Sequence, residues 1–181
     1  MPDQMVVPHL YLDTGVLVDV IRDIGDSFKL LGLARKKQWV ISTSSFAVME
    51  MLDIEQEDAF FRVKVAQGMT ARWAMRKRTK RDLPKNELED IYKRIRDKLA
   101  ALYDFIDYWE LTPAGFDEAV KFAKESNISA PDCIHLATAI EAGCDLLVTT
   151  DEFFGEEAKQ YLPTTLPKRV EKELRSLDFV L

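Results

Sequence analysis

The chain of 181 residues has little cysteine and histidine and no long apolar run. Its two cysteines, Cys133 and Cys144, do not form a C-x-x-C pair, and its two histidines are His9 and His135. We therefore expect neither a disulfide framework nor a zinc site, and this cysteine usage fits a reducing cytoplasm. Any metal site must use oxygen ligands, which favours Mg²⁺ or Mn²⁺ over zinc.

No apolar run approaches the roughly 18 residues that a membrane helix needs. The start of the chain, residues 1–4, lacks a positive region followed by an apolar one, so no secretory signal is expected. A hydrophobic content of 47% predicts a packed globule, and the length suits one domain over residues 1–181. These features predict a cytoplasmic protein without membrane association.

Charge is distributed unevenly along the chain. The net charge of −6 argues weakly against nucleic acid as a partner. One segment, residues 62–81, nevertheless carries +8 and no acid, so the rest of the chain carries −14. Its basic residues are Arg62, Lys64, Arg72, Arg76, Lys77, Arg78, Lys80 and Arg81. The pattern is that of an acidic body with one basic arm.

Short apolar strands alternate with helices along most of the chain. This alternation predicts an α/β fold with three α/β/α layers around a central parallel sheet. Strands are expected over 9–12, 39–42, 106–111 and 146–149, with a last short strand over 179–181. Helices are expected over 16–24, 26–37, 45–54, 113–126 and 129–143, after Asp151, and from about 167. Asp26 or Ser27 is the expected cap of the second helix, and Ser44 or Ser45 that of the third.

The middle of the chain, about 55–104, has a helical and highly charged pattern. Gly68 and the Leu83–Pro84 step divide it, which predicts an inserted helical hairpin whose second arm covers about 86–103. Arg72, Arg76 and Lys80 recur every four residues on one helix face, with Trp73 and Lys77 beside them. This face is suited to follow a phosphate backbone, with Trp73 stacking on a base. A solvated face, or a docking surface for an acidic partner or second subunit, are the alternatives.

Four acids occupy unusual positions. Asp13 and Asp151 directly follow predicted strands, whereas Glu50 and Asp132 lie in helices that begin near the same sheet edge. Taken singly, each is explained equally well as a helix cap or a solvated charge. Ligands of parallel sheets bind outside the carboxyl ends of the strands. Four acids meeting there would repel one another by about 4 kcal/mol per pair at 4 Å, which divalent cations would relieve.

The same residues carry a resemblance to the PIN domain, the fold of many VapC-type toxin ribonucleases. Its motifs resemble residues 10–14 (Leu-Tyr-Leu-Asp-Thr) and residues 42–45 (Ser-Thr-Ser-Ser) leading to Glu50. The most specific match is 130–139 (Ala-Pro-Asp-Cys-Ile-His-Leu-Ala-Thr-Ala), continuing through 143–151 (Gly-Cys-Asp-Leu-Leu-Val-Thr-Thr-Asp). The resemblance covers residues 9–54 and 112–154.

The resemblance implies a metal-dependent endoribonuclease that uses Mg²⁺ or Mn²⁺. The acids matching those of the family are Asp13, Glu50, Asp132 and Asp151, and Thr149 matches a Ser/Thr near the metal water. It also implies RNA as substrate, an antitoxin protein as partner if the chain is a toxin, and a homodimer. Asp145 precedes its strand, so we expect it at the opposite end of the sheet.

Two departures from the family pattern stand out. Gly15 stands where the family often has Asn, which removes a polar contact to the pocket. The stretch between Glu50 and Asp132 is longer than in compact members, and the extra length falls in the basic arm. The alternative function is therefore a non-catalytic PIN-shaped module that binds RNA or protein through that arm.

A phospho-acceptor domain is disfavoured because no lysine follows Asp151 until Lys159. His135, one turn after Asp132, is better explained as a structural histidine than as a catalytic one.

Overall fold

A five-stranded parallel sheet forms the centre of the computed structural model, which describes residues 6–180. The strands are β1 (His9–Leu12), β2 (Val40–Ser44), β3 (Ile106–Trp109), β4 (Leu146–Val148) and β5 (Thr164–Thr165). Their order is β3-β2-β1-β4-β5, and every neighbouring pair is parallel. The predicted parallel sheet is therefore confirmed, with β1 at its centre.

Helices connect the strands and cover both faces of the sheet. They are α1 (Thr14–Ile21), α2 (Gly25–Lys37), α3 (Ser45–Ala66), α4 (Ala71–Lys77), α5 (Lys85–Ala100), α6 (Pro113–Glu125), α7 (Ala130–Glu141), α8 (Glu152–Ala158) and α9 (Val170–Ser176). A 3₁₀ helix, Pro167–Arg169, precedes α9. Within residues 6–180, no helix is both long and apolar enough to cross a membrane.

The alternation of side chains along the strands divides the interior into two cores. Leu10 and Leu12 of β1 pack in a core that also contains buried residues of α1, α2, α3 and α5. Tyr11, between them, points to the other face and shares its core with residues of α6, α7 and α8. Successive strand residues face opposite sides of a sheet, so both faces of β1 are covered. This arrangement confirms the three-layer α/β/α fold.

Two predictions at the ends of elements were wrong. Neither Asp26 nor Ser27 caps α2, because the helix begins at Gly25, after Ile24, which makes no side-chain cap. The Ser27 hydroxyl instead donates to Asp19 at 2.9 Å. Phe179 and Val180 are not in a strand, and Leu181 lies outside the described residues. The edge strand β5 was not predicted, since two threonines carry no apolar pattern.

The middle segment departs from the predicted boundary at residue 54. Helix α3 continues unbroken to Ala66 because Ala59 and Phe60 extend its buried face. The breaks expected at Gly68 and Leu83–Pro84 are present, since Gly68 adopts φ +81° after α3 and α5 begins at Lys85.

A buried ion pair ties this middle segment to the body of the protein. Glu55 of α3 is 3% exposed and accepts hydrogen bonds from Arg22, next to α1, at 2.6 Å and from Arg94 of α5. Asp58 binds the same Arg22 from a half-exposed position. Glu55 thereby joins three helices through one carboxylate.

Glu55→Gln should lower the free energy of unfolding by about 1–3 kcal/mol in urea titrations. Glutamine has no charge and only one acceptor oxygen, so one of the two arginines loses its acceptor. The partial exposure of both arginines keeps the cost below that of a fully buried pair. Asp58→Asn is the matched control and should cost about 0.5 kcal/mol or less, because its side chain is 51% exposed. Equal losses in the two variants would contradict the role given to Glu55.

Candidate active site

The carboxyl ends of β1, β2 and β4 meet at one edge of the sheet, and the candidate acids lie there. Asp13 follows β1 directly, and its N–H donates to Val148 O of β4 at 3.1 Å. Asp151 follows β4, Glu50 lies in the second turn of α3, and Asp132 lies in the first turn of α7. Asp145 lies at the opposite edge, where it accepts a hydrogen bond from His9 N at 2.8 Å, as expected.

Asp13 is the most buried of the four acids, with 6% of its surface exposed. Its Oδ1 accepts the N–H of Val16 at 3.0 Å, so it also caps α1. Burial raises the pKa of Asp13 to about 6, against the opposing effects of the Thr149 hydroxyl, the Val16 N–H and His135, and the charge of Asp132 raises it further. Ionised Asp13 is therefore a destabilised charge in the metal-free protein.

A buried histidine organises the neighbouring acid, Glu50. His135 is 2% exposed; its Nε2 lies 2.8 Å from Glu50 Oε2, and its Nδ1 lies 2.9 Å from the Tyr11 hydroxyl. An ionised carboxylate only accepts hydrogen bonds, so Nε2 carries the ring proton. In the neutral ring Nδ1 then accepts from Tyr11, which therefore fixes the tautomer. The His135 side chain accordingly positions Glu50, in keeping with the structural role predicted for it.

Thr14 completes this network. Its hydroxyl donates to Glu50 Oε2 at 2.5 Å and lies 3.1 Å from His135 Nε2. Burial by itself would raise the pKa of Glu50, but the hydrogen bonds from His135 and Thr14 outweigh it and hold the pKa below its usual value. Burial also raises the pKa of Tyr11, which keeps this hydroxyl protonated as a donor. The protein thus stabilises the ionised form of Glu50 and destabilises the ionised form of Asp13.

Asp132 and Asp151 are also oriented by the helices they begin. The Ser129 hydroxyl donates to Asp132 Oδ2 at 2.6 Å, and Asp151 Oδ1 accepts the N–H groups of Phe153 and Phe154 at 2.8 and 3.0 Å. Burial raises the pKa of Asp132, and the charges of Asp151 and Glu50 add to this rise. The charges of Asp151 and Glu50 thus act on Asp132, and the charge of Asp132 acts on Asp13, so the four carboxylates lie within electrostatic reach of one another.

One oxygen of each carboxylate is fixed by the protein, which bears on metal binding. The hydrogen bonds of Glu50, Asp132 and Asp151 within residues 6–180 use a single oxygen each and leave Oε1, Oδ1 and Oδ2 free. In the same residues, no three His, Cys, Asp or Glu side chains converge closely enough to ligate one ion directly. Mg²⁺ usually retains several waters and takes one or two carboxylates, so this oxygen donor set still fits it.

Thr149 lies at the end of β4, between the acids. It is fully buried, its hydroxyl accepts the N–H of Asp151 at 2.9 Å, and it lowers the pKa of Asp13. Thr149 therefore interacts with both Asp13 and Asp151. Tyr11 and Thr14 were not predicted as site residues; the signal for Thr14 was its place directly after Asp13, whereas nothing in the sequence pairs Tyr11 with His135.

The five residues predicted to bind RNA lie on α4 and the turn that follows it. Arg72, Trp73, Arg76, Lys77 and Lys80 are all exposed, and within residues 6–180 none of the four cations belongs to an ion pair. The structure does not bring them into the acidic cluster. It does fasten their segment near it, because Arg81 binds both carboxylate oxygens of Asp53, one turn after Glu50.

Gly15 lies against the residue that precedes Asp151. A Cβ at Gly15 would stand 2.2 Å from the Thr150 hydroxyl oxygen and 3.5 Å from Asp13 Oδ1. The space that a side chain at position 15 would use is therefore occupied by Thr150.

These features define a parallel α/β/α protein with an acidic site at the carboxyl edge of its sheet. The PIN domain family model matches residues 10–159, and the chain belongs to that family. No curated protein is significantly similar to it in sequence. PIN domain toxins are generally nucleases, and PIN nucleases usually use divalent metal ions.

Solved structures share the fold at low sequence identity. VapBC2 of Rickettsia felis, bound to a promoter DNA fragment, aligns with a TM-score of 0.55 at 15% identity, covering 87% of this chain and 98% of that one. A toxin–antitoxin complex from Klebsiella pneumoniae gives 0.52 at 16% identity, covering 87% and 97%. FitAcB of Neisseria gonorrhoeae gives 0.50 at 16% identity, covering 88% and 98%.

Asp13→Asn should stabilise the metal-free protein at pH 7.5. Because the pKa of Asp13 is higher in the folded than in the unfolded chain, stability falls as the pH rises from about 4 to about 6 and stays low above it. Asn keeps the cap but removes the charge, a gain of up to about 3 kcal/mol. In thermal unfolding with EDTA, the midpoint of Asp13→Asn should therefore be several degrees above that of wild type at pH 7.5. The difference between the two proteins should be smaller at pH 4.5. A lower midpoint at pH 7.5 would contradict the pKa assigned to Asp13.

Gly15→Ala should cost about 1 kcal/mol, because Thr150 must rotate away from the new methyl group. Gly32→Ala, in α2, is the matched control; nothing lies within 4 Å of its added methyl, so it should stabilise by up to about 1 kcal/mol. In a Thr150→Ala background the cost at position 15 should disappear. Chemical denaturation of wild type, Gly15→Ala, Thr150→Ala and the double variant measures the coupling free energy between positions 15 and 150. If the free-energy changes of the two substitutions simply add, the contact between Gly15 and Thr150 is ruled out.

Proposed function

We propose that this protein is a metal-dependent endoribonuclease that hydrolyses RNA phosphodiester bonds at the acidic edge. The observation that carries the proposal is the arrangement of Asp13, Glu50, Asp132 and Asp151. They surround the carboxyl ends of β1 and β4, and three of them keep one oxygen free of protein hydrogen bonds. Their mutual repulsion gives the cluster a strong preference for cations.

Each side chain has a distinct part in this proposal. Asp13, Glu50, Asp132 and Asp151 hold one or two Mg²⁺ or Mn²⁺ ions, directly or through water. When bound, such ions neutralise the acids and polarise the phosphodiester. Glu50 is the preformed anion, since His135 and Thr14 already hold its pKa down. A bound cation would neutralise Asp13 and so offset the cost of its burial. Thr149 orients Asp13 and keeps the two sides of the edge together.

RNA is the proposed substrate because an exposed cationic surface is fastened beside these acids. Arg72, Arg76, Lys77 and Lys80 provide the charges that follow the phosphate backbone, and Trp73, 37% exposed, provides a stacking surface. Arg78 and Arg81 are engaged by acids of α3 and so anchor the arm. The net charge of −6 makes this local surface necessary for binding a polyanion.

We further propose that the protein works as the toxin of a toxin–antitoxin pair, as a homodimer in the cytoplasm. The support is its likeness in fold to VapBC2 and to the Klebsiella complex. Cys133 and Cys144 are free and buried, which fits a reducing compartment. A short open reading frame adjoining this gene, whose product co-purifies with the protein, would identify the antitoxin. Absence of any such product would leave the nuclease proposal standing and remove the toxin role.

The nuclease proposal is tested by cleavage of an RNA panel with Mg²⁺ or Mn²⁺. Asp13→Asn should lower kcat/KM more than roughly 100-fold, beyond the loss usual for groups that only support metal ligands. Asp145→Asn is the matched control: it removes an acid at the opposite edge and should leave cleavage unchanged. Replacement of Arg72 and Arg76 by Ala should raise KM and weaken its salt dependence while kcat is retained.

Equal cleavage by wild type and Asp13→Asn would show that the activity does not arise at this site. If wild type cleaves no RNA, and a Mn²⁺ titration shows no saturable binding that Asp13→Asn removes, the protein is a non-catalytic binding module. The metal titration needs no substrate, so it distinguishes a non-catalytic module from a nuclease that does not cleave the chosen RNAs.

A further inference from the structure

A small cavity lies beside the acidic cluster, between α8 and the chain that follows β5. It has a volume of about 160 Å³, and its lining includes Thr149 and Asp151, which also belong to the candidate active site. Ordinary small-molecule pockets begin at roughly 300 Å³, so this one suits a compact group. Anything bound in it would lie directly next to the acidic site.

The cavity is lined by three acids, Asp151, Glu152 and Glu156, and it also offers two hydrogen-bond donors that the protein itself does not use. Arg169, in the 3₁₀ helix after β5, lines it and forms none of the ion pairs found within residues 6–180. The other cation in its wall, Lys159, is paired with Glu156 at 2.6 Å. Thr165 is nearly buried, lines the same cavity, and its hydroxyl takes part in none of the side-chain hydrogen bonds of the described residues.

A glycine marks the close packing of α8 beside this cavity. Gly155 lies inside α8, where glycine costs up to about 1 kcal/mol relative to alanine, and it lines the cavity. A Cβ there would approach Thr149 Cγ2 at 3.3 Å and Thr164 Cγ2 at 3.8 Å. Gly155 therefore lets α8 pack closely against these two threonines, which also line the cavity.

We propose that this cavity is a phosphate subsite, which binds an RNA phosphate adjacent to the phosphodiester that is cleaved. Arg169 and Thr165 are its donors; a guanidinium pairs with two phosphate oxygens at once, and a hydroxyl supplies a third contact. The subsite rests on the proposed nuclease function, because it shares Thr149 and Asp151 with that site. It fixes the register of the strand relative to the acids without contacting a base.

Binding is measured apart from cleavage, with a ten-nucleotide fluorescent RNA, Mg²⁺ and the Asp132→Asn background, which suppresses hydrolysis. Arg169→Ala should weaken binding about tenfold. It should also make the slope of log affinity against log salt shallower by about 0.7, the value for one phosphate contact to a single strand. Arg169→Lys should restore the salt slope but only part of the affinity. Arg175→Ala, an exposed arginine of α9 outside the cavity, is the matched control and should change neither.

Two further measurements separate this subsite from a structural effect and from the metal site. Thr165→Val removes the second donor and should weaken RNA binding less than Arg169→Ala does, while both variants keep the wild-type unfolding midpoint and Mn²⁺ affinity. An unchanged salt slope in Arg169→Ala, or a loss of Mn²⁺ affinity instead of RNA affinity, overturns the proposal. Failure of wild type to cleave RNA would reject the nuclease function, whereas the effect of Arg169 on RNA binding would still be measured.

Discussion

Parallel pairing of β1 with both β2 and β4 is the constraint on which the acidic edge depends. It aligns Leu12 with Val148, so that Asp13 and the β4 end leave the sheet side by side. Because β1 is the central strand, helices cover both of its faces and Asp13 is nearly buried. The same geometry that gathers the carboxylates thus also desolvates Asp13, and the cation of the proposed function would offset both the repulsion and the desolvation.

Helix capping and metal binding are compatible uses of these carboxylates. Asp13 and Asp151 each give one oxygen to the N–H groups of the helix that follows, and Asp132 gives one to Ser129. A carboxylate fixed by one oxygen presents the other in a defined direction. The hydrogen bond that each acid makes at its helix therefore explains how the acid is oriented, while metal binding is the use that we propose for the remaining oxygens.

Glycine shapes the site on both sides of the β4 end. Gly15 leaves room for the Thr150 hydroxyl, and Gly155 lets α8 pack closely against Thr149 and Thr164. Thr150 therefore occupies the space that the departure from the family pattern leaves at position 15. The buried pairing of Tyr11 with His135 has the complementary effect, since it fixes the side chain that holds Glu50.

The sequence by itself determined the alternation of strands and helices, the four acids and the exclusion of Asp145, because apolar periodicity and short motifs are local properties. It also predicted the breaks at Gly68 and Leu83–Pro84.

The sequence did not predict strand β5, because its two threonines form a strand only by pairing with the edge of β4. The extension of α3 to Ala66 depends on burial against other elements. Likewise, only the tertiary structure decided that Asp13 is buried and that Glu50 is stabilised as an anion. Both properties depend on residues distant in sequence, among them His135, Thr14 and Thr149. The acids could be named from the chain, but the opposite pKa shifts of Asp13 and Glu50 could be assigned only once the sheet had brought them together.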